Sequence, residues 1–309
     1  MSDHDLVIIG SGAAGLTAGL FAGRARLKTV ILERENLGGQ IANVEHIENF
    51  PGFSEGTSGY ELGPTMMDQA QRVGCEVKIL EEVSEIAVEG DLKVVRTDQG
   101  EYRAKAVIVA GGSKLARLGV PGEEEFEGRG VSYCATCDGA FFQDQVVAVV
   151  GGGDSACDEA LYLTNIVERI IMIFDGDTLS AAKILQERVA ESPKIELRSN
   201  STVDAIEGED GVARIQVRNV KTEAREEVAV QGVFVYVGLT PNTDYLSEMF
   251  DLDAGGHIPV NLWMETSVPG LFAAGDIRQH AARYLVTSAG DGATAAVAAE
   301  RYIREKFPS

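Results

Sequence analysis

The fold of this chain is indicated first by residues 5–15, which read Asp5-Leu6-Val7-Ile8-Ile9-Gly10-Ser11-Gly12-Ala13-Ala14-Gly15. The apolar run that ends at Ile9 is rich in β-branched residues and predicts a buried parallel strand. After the glycine-rich turn comes an Ala/Leu-rich stretch to Arg26 with helical spacing, and then a second strand, Thr29–Leu32. This order of strand, glycine loop, helix and strand predicts a βαβ unit.

The spacing of Gly10, Gly12 and Gly15 is typical of a dinucleotide-binding loop when it lies between a strand and a helix. Gly10 permits the tight turn, Gly12 lets the backbone approach a pyrophosphate, and Gly15 allows the helix to pack against the strand. The helix N-terminus favours the phosphate charge, and Glu33 is placed to accept hydrogen bonds from a ribose diol. We therefore expect a bound dinucleotide, and the alternative is a tight turn without a ligand.

The same order of elements recurs in the middle of the chain. A strand at Val146–Val150 leads into the glycine motif Gly151–Ala156, a helical stretch from Cys157 and a strand at Ile170–Ile173. Ala156 takes the place of the third glycine, which the dinucleotide motif tolerates. Two interpretations stay open, a second nucleotide site or a retained fold whose site has been lost.

Both halves continue into alternating strands and close on an apolar strand that ends in glycine, at Val107–Gly112 and at Val233–Gly238. The final stretch has a turn, a buried strand and an acidic residue within Val268–Asp276, followed by helical residues Thr287–Lys306. Because this stretch fits neither repeat alone, we assign it back to the first domain.

The sequence thus predicts an α/β fold with two Rossmann-like nucleotide-binding domains, each with three ββα layers, the second inserted in the first. Residues 1–115 and 244–309 are predicted to form the first domain, and residues 116–243 the second. Loops with Pro121-Gly122 and Pro241-Asn242 are the predicted hinges.

Composition excludes several classes of partner. With 27 Lys and Arg against 48 Asp and Glu, the formal net charge is −21, which excludes nucleic acid and disfavours an anionic membrane surface. The sequence has no apolar run long enough for a membrane helix, and its acidic start is not a signal peptide. Four cysteines are too few for a secreted disulfide framework, so we expect a cytoplasmic protein.

The segment Cys134–Asp138, Cys-Ala-Thr-Cys-Asp, carries the main chemical signal. Two cysteines at this spacing in an α/β protein predict a redox dithiol, and Asp138 is placed to relay a proton to or from a departing thiolate. Zinc is disfavoured because the histidines show no ligand spacing. Cys75 and Cys157 stand alone and are interpreted as small buried apolar side chains.

Over nearly its full length the chain resembles the low-molecular-weight thioredoxin reductases, which are FAD-dependent disulfide reductases. The matching segments are Gly10–Gly15, Gly38–Gln40, Glu48–Gly52, Cys134–Asp138, Gly151–Ala156, Thr266–Gly270, Gly275-Asp276 and Thr287–Gly290. The resemblance implies FAD in the first domain, thioredoxin or a similar protein disulfide as partner, a homodimer, and rotation of one domain against the other.

It also implies a set of site residues. The cofactor-binding residues are Gly10, Gly12, Ala13, Ala14, Gly15, Glu33, Gly39, Gln40, Asn49, Gly275, Asp276, Arg283, Tyr284 and Leu285. By the same resemblance Cys137 is the sulfur nearest the flavin, Cys134 attacks the partner's disulfide, and Asp138 is the acid/base.

One departure from the family concerns the electron donor. The family grips the 2′-phosphate of NADPH with a run His-Arg-Arg-x-x-x-Arg, whereas residues 174–180 here read Phe-Asp-Gly-Asp-Thr-Leu-Ser. The arginines are absent, and Asp175 would repel the phosphate, so we expect that NADPH is not the donor. Two donors stay open: NADH, with Asp175 accepting its 2′-OH, or a protein such as ferredoxin or a flavodoxin-like donor.

Two smaller departures lie in the first domain. The chain has Ala110-Gly111-Gly112 for the family's Ala-Thr-Gly, and Arg283-Tyr284-Leu285 for its Arg-Gln-Ala. Tyr284 either stacks on the flavin ring and obstructs nicotinamide, or packs beside the cofactor. The leading hypothesis is a dithiol–disulfide reductase. The alternatives are a flavin-disulfide redox sensor without fast turnover, and a flavin-dependent ferredoxin–NAD(P) oxidoreductase, which the intact cysteine pair disfavours.

Overall fold

The computed structural model describes residues 3–35 and 37–308, apart from the side chain of Asn43. It consists of two compact units, one formed by Met1–Lys114 with Thr240–Ser309 and the other by Leu115–Leu239. Pro241-Asn242 therefore lies just after the second crossing between the units, whereas Pro121-Gly122 lies inside the second unit.

The strands are β1 His4–Ile9, β2 Thr29–Glu33, β3 Glu76–Ile79, β4 Val83–Glu89, β5 Leu92–Thr97, β6 Glu101–Val109, β7 Ser113–Leu115, β8 Val131–Ser132, β9 Val146–Val150, β10 Arg169–Ile173, β11 Ile195–Arg198, β12 Ser201–Gly208, β13 Val212–Asn219, β14 Arg225–Ala229, β15 Gly232–Val235, β16 Leu239–Pro241 and β17 Leu271–Ala273. The α-helices are α1 Ala13–Arg24, α2 Gly59–Arg72, α3 Ala135–Asp138, α4 Asp154–Leu163, α5 Lys183–Glu191 and α6 Leu285–Lys306. Short 3₁₀ turns span Gly39–Asn43, Gly139–Phe142 and Asp244–Leu246.

The first unit is built on a sheet of order β3-β2-β1-β6-β5-β4, with β17 paired to β6. Strands β1, β2, β3, β17 and the second half of β6 run parallel, while β4, β5 and the first half of β6 form an antiparallel meander. Leu6 and Ile8 of β1 pack on the core beneath α1, α2 and α6, and Val7 and Ile9 pack on the opposite face. Burial on both faces explains why β1 is a continuous apolar run.

The second unit repeats this plan. Its parallel sheet has the order β11-β10-β9-β15-β8, and a separate antiparallel sheet β12-β13-β14 forms a further layer. Val147 and Val149 of β9 face the core beneath α4 and α5, and Ala148 and Val150 face the core that includes residues of β12 and β13. The predicted α/β fold with two Rossmann-like units is confirmed. Within the described ranges no helix is long and apolar enough to cross a membrane.

Candidate functional site

The glycines of the first loop differ in their surroundings: two are required by close backbone contacts, and one leaves open space. Gly10 has φ +101°, and a Cβ there would lie 2.4 Å from the carbonyl oxygen of Ala110; a Cβ on Gly15 would lie 1.8 Å from the carbonyl oxygen of Gly10. A Cβ on Gly12 would meet only the carbonyl oxygen of Gly38, at 4.0 Å. The backbone at Gly12 is therefore open to close approach.

Helix α1 begins directly behind this opening. Its N-cap residue is Gly12, no side chain caps its first turn, and no acidic residue lies in that turn. Ala13 and Ala14 are small and buried. The N–H groups of the first turn, at the positive end of the helix, are thus suited to a pyrophosphate.

Glu33 lies beside the same loop at the end of β2 and is 8% exposed. Its Oε2 accepts hydrogen bonds from the backbone N and the Oγ of Ser11, both at 2.8 Å, and its Oε1 accepts one from the backbone N of Glu35 at 2.9 Å. A cavity of about 400 Å³ starts at the next residue, Arg34, and Val83 and Tyr245 also line it. A fixed carboxylate next to an open cavity fits the ribose and base of a dinucleotide.

On the other side of the loop, β17 is followed by Ala274, Gly275 and Asp276. The Oγ of Ser288 donates to Oδ1 of Asp276 at 3.1 Å. Asp291 of α6 accepts hydrogen bonds from the backbone N of Gly275 at 3.2 Å and from Nε and Nη2 of Arg278 at 2.6 and 3.0 Å. This ion pair fixes the turn that presents Asp276, and the sequence patterns gave no reason to single out Arg278 or Asp291.

The structure brings only part of the predicted cofactor set together. A Cβ on Gly275 would lie 3.0 Å from the Cβ of Ala14, so the Gly275 turn adjoins the first loop. Gln40 donates from Nε2 to the carbonyl oxygen of Ser113 at 2.8 Å. Asn49 and Tyr284 are exposed, which leaves the stacking of Tyr284 on a flavin as a prediction. The remaining predicted residues are adjacent in sequence to those already described. Gly39 and Arg283 have left-handed backbone conformations, and Leu285 is the first residue of α6.

The effect of the Asp276 charge on stability can be tested in protein without bound FAD. Burial raises the pKa of its carboxyl, although the hydrogen bond from Ser288 and the charge of Arg283 act in the opposite direction. A raised pKa in the folded state means that the charged form is disfavoured there, so stability is lost as the pH rises through that pKa. We expect Asp276→Asn to raise the melting temperature of FAD-free protein by about 2 °C or more at neutral pH.

The gain from Asp276→Asn should shrink as the pH falls from neutral through the raised pKa of the wild-type carboxyl, because the protonated group has no charge to desolvate. Asp251→Asn, at an exposed position of the same unit, is the control and should leave the melting temperature unchanged. Thermal unfolding across this pH range checks the prediction, and an equal gain at both ends would contradict it. We expect the same substitution to weaken FAD binding, because it removes a charged acceptor.

In the second unit, Cys134 and Cys137 form a disulfide with a Cα–Cα distance of 5.3 Å. Cys134 is the N-cap of the one-turn helix α3, and its Sγ accepts a hydrogen bond from the backbone N of Cys137 at 3.2 Å. Cys137 is exposed and Cys134 is half-buried. Asp138 follows directly and receives a hydrogen bond at Oδ2 from Ser132 Oγ, at 2.6 Å. The disulfide and the carboxylate thus lie in one short segment.

A side chain from another strand end also binds the first turn of α3. The hydroxyl of Tyr236, just after β15, accepts a hydrogen bond from the backbone N of Ala135 at 3.0 Å. Burial raises the pKa of Tyr236, and the neighbouring Glu159 carboxylate, to which its hydroxyl donates, adds to the shift. Sequence reasoning missed both Ser132 and Tyr236. For Ser132 the proximity to the cysteines was a usable signal, and for Tyr236 there was none.

Cys75 and Cys157 are free and buried. Burial, with a smaller contribution from nearby carboxylates, raises the pKa of each thiol to about 12. Thiols of this kind stay protonated and are poor nucleophiles. The interpretation of these two cysteines as small apolar side chains is confirmed. No cluster of His, Cys, Asp and Glu able to hold a metal is found among the described residues.

The second glycine loop has the backbone geometry of the first. Ile9 pairs with Leu32 and Val150 pairs with Ile173, and the loop glycine that follows each first strand donates to the strand partner's carbonyl oxygen at 2.8 Å in both units. The loops are therefore equivalent in register.

The residue that follows the last paired position, Leu32 in the first unit and Ile173 in the second, differs between the units. In the first unit the residue after Leu32 is Glu33, the last residue of β2, and in the second the residue after Ile173 is Phe174, which is buried and packs against Gly152. Asp175 is exposed, and the Asp177 carboxylate forms an ion pair with Lys221, which lowers the pKa of Asp177. The second unit thus has an apolar side chain where the first has the carboxylate of Glu33.

Comparison with known proteins agrees with this arrangement. The family of pyridine nucleotide-disulphide oxidoreductases matches residues 4–300. A thioredoxin reductase from Treponema pallidum is 42% identical over 302 residues, covering 98% of both chains. The crystal structure of Lactococcus lactis thioredoxin reductase superposes with a TM-score of 0.96 at 41% identity, covering 98% of this chain and 100% of that one.

A more distant relative has ferredoxin in its name. It is a structure from Clostridium acetobutylicum described as a ferredoxin-flavin thioredoxin reductase. It matches with a TM-score of 0.53 at 27% identity, covering 98% of each chain.

Proposed function

Because the chain belongs to the low-molecular-weight thioredoxin reductase family, we propose that it reduces a thioredoxin-like protein disulfide through Cys134 and Cys137, with electrons from a donor other than NADPH. The observation that carries the proposal is the Cys134–Cys137 disulfide with the Asp138 carboxylate fixed beside it. In this proposal the first unit binds FAD and the second unit carries the disulfide.

The first unit fits FAD. Gly12 leaves the backbone open, α1 presents N–H groups that no side chain caps, and Glu33 is held rigidly at the end of β2. We assign the pyrophosphate to Gly12, Ala13 and α1, and the ribose to Glu33. When bound, FAD supplies a two-electron carrier between the donor and the disulfide.

Reduction of the partner is a thiol–disulfide exchange. The Cys134 thiolate attacks one sulfur of the partner's disulfide, forms a mixed disulfide and releases the other partner sulfur as a thiolate. Cys137 then attacks the Cys134 sulfur, which restores the Cys134–Cys137 disulfide and releases the second partner sulfur. Two electrons pass to the partner, and the two protons of the cysteine thiols end on its two thiols, one of them moved by Asp138.

NADPH is a poor fit for the second unit. A 2′-phosphate gains most of its binding from guanidinium groups, which pair with it in bidentate geometry. Here Asp175 is exposed and Ser180 stands where the last arginine of the family's motif lies. An exposed carboxylate in place of a guanidinium turns attraction into repulsion.

NADH is supported less well than a protein donor. The position equivalent to Glu33 is Phe174, so the acid that would accept the ribose 2′-OH is one residue away, at Asp175. The Clostridium acetobutylicum relative is named for ferredoxin, which makes a ferredoxin or flavodoxin-like protein the donor we favour.

We also propose that the protein forms a homodimer and is located in the cytoplasm.

The donor is tested by anaerobic titration of the FAD-loaded protein with NADPH, NADH and reduced ferredoxin, following the loss of flavin absorbance. We expect reduced ferredoxin to bleach the flavin at least about a hundredfold faster than NADPH, a difference of about 2.7 kcal/mol in activation free energy. Rapid bleaching by micromolar NADPH would overturn the exclusion of that donor. Rapid bleaching by NADH alone would replace the protein donor but keep the exclusion of NADPH.

A matched variant carries both Asp175→Arg and Ser180→Arg. It should speed the bleaching of the flavin by NADPH and leave the rate with reduced ferredoxin unchanged if the charge of this segment decides the donor.

Two alternative functions are not favoured by the relatives, whose names describe thioredoxin reductases. They are a redox sensor without turnover and an oxidoreductase that bypasses the dithiol.

A further inference from the structure

Ser132 lies at the end of β8, next to the redox segment, and is 4% exposed. Its Oγ lies 2.6 Å from Oδ2 of Asp138, 3.1 Å from the backbone N of Cys134 and 3.2 Å from the carbonyl oxygen of Cys134. A hydroxyl has one proton to donate, and the short contact to a carboxylate takes it. Ser132 therefore donates to Asp138 and accepts from the N–H of Cys134.

The sheet fixes the position of this hydroxyl. Strand β8 pairs in parallel with β15, with Ser132 opposite Phe234 and Val131 opposite Val233. Phe234 is inaccessible to solvent and Val131 is almost so, which holds the short strand β8 in place. One hydroxyl anchored to the parallel sheet thus links the backbone of Cys134 to the carboxylate of Asp138.

We propose that Ser132 is a positioning residue for proton transfer at the redox dithiol. By holding Oδ2, it restricts rotation of the Asp138 carboxylate and leaves Oδ1 to exchange the proton with a departing thiolate. Because the same hydroxyl also binds the N–H of Cys134, the carboxylate and the attacking cysteine keep a constant relative position. This role rests on the proposed function, in which Asp138 is the acid/base.

The test uses a single turnover that does not depend on the donor. The full-length protein is reduced with dithiothreitol, freed of reagent and mixed with oxidised thioredoxin, and the thiols are trapped with an alkylating agent and counted by mass. We expect Ser132→Ala to slow the maximal rate about tenfold while the thioredoxin concentration for half-maximal rate changes by less than about twofold. Ser132→Thr, which keeps a hydroxyl, should restore most of the rate.

The pH profile separates positioning from mere structural support. We expect Ser132→Ala to displace the pH dependence of the single-turnover rate, because the carboxylate that exchanges the proton has lost its donor. Tyr236→Phe is the matched control. The Tyr236 hydroxyl and the Glu159 carboxylate face the same segment, and the charge of Asp138 acts on Tyr236. The substitution removes the hydrogen bond to Ala135 and keeps the one from Ser132 to Asp138. It should lower the melting temperature and leave the pH profile in place. A profile that both variants displace equally would overturn the proposal.

Asp138→Asn distinguishes the failure of this inference from the failure of the proposed function. If the double variant with Ser132→Ala is no slower than Asp138→Asn alone, the two residues act as one unit and the proposal stands. If the two losses multiply in full, Ser132 acts by another route and the proposal is overturned while the function stands. A wild-type rate in Asp138→Asn would instead overturn the acid/base role itself.

Discussion

Cys134→Ser is expected to lower the rate of thioredoxin reduction about a thousandfold or more, equivalent to about 4 kcal/mol of activation free energy. A serine hydroxyl neither forms the mixed disulfide nor leaves as a stabilised thiolate, so the electrons have no route to the partner. Cys137→Ser should have an effect of similar size, because the mixed disulfide then cannot be resolved. The measurement is turnover with whichever donor bleaches the flavin, coupled to thioredoxin.

The control for this experiment is Cys157→Ala. Cys157 lies in α4 with its side chain buried in the core, and burial raises the pKa of its thiol to about 12, which keeps it protonated. We expect this variant to keep turnover within about twofold and to lose about 1 kcal/mol of stability from the smaller side chain. Flavin reduction by the donor should continue in Cys134→Ser, since the proposed electron path reaches the flavin before the cysteines. Thioredoxin turnover that survives Cys134→Ser would contradict the dithiol route.

Gly15→Ala and Gly12→Ala are expected to separate folding from cofactor binding. A Cβ on Gly15 would lie 1.8 Å from the backbone oxygen of Gly10, an overlap that no side-chain movement relieves. We expect Gly15→Ala to cost about 3 kcal/mol or more of stability and to leave little FAD-loaded protein. Absorbance of the purified protein and its melting temperature measure both effects.

Gly12→Ala should behave differently, because its Cβ would meet only the backbone oxygen of Gly38, at 4.0 Å. We expect an unchanged melting temperature without FAD and a loss of FAD affinity of about a hundredfold or more, since the methyl group occupies the approach of the pyrophosphate. Gly100→Ala, in an open turn of the same unit, is the control and should change neither quantity. Tight FAD binding by Gly12→Ala would show that the pyrophosphate does not approach this backbone.

Much of the fold followed from local patterns. The run that ends at Ile9 matches β1, and the predicted strand Val146–Val150 has the bounds of β9. Strand patterns and glycine spacing each involve only a few neighbouring residues, so they can be recognised without knowledge of distant contacts. The cysteine pair could be recognised in the same way because only two residues separate Cys134 from Cys137, and the disulfide is present in the structure.

Contacts between distant segments could not be predicted in this way. Tyr236 reaches Ala135 across 101 positions of sequence, and Asp291 of α6 binds the turn at Gly275. The register that places Phe174 where the first unit has Glu33 follows from paired strands.

The sequence by itself determined the repeated βαβ units, the redox cysteines and the loss of the arginines that bind a 2′-phosphate, because each is written in neighbouring residues. Only the tertiary structure decided which side chains serve these motifs: Ser132 at Asp138, Tyr236 beneath α3, and Arg278 with Asp291 behind Gly275. The physical reason is that a hydrogen bond depends on a distance of about 3 Å between two atoms, and packing of remote elements sets that distance.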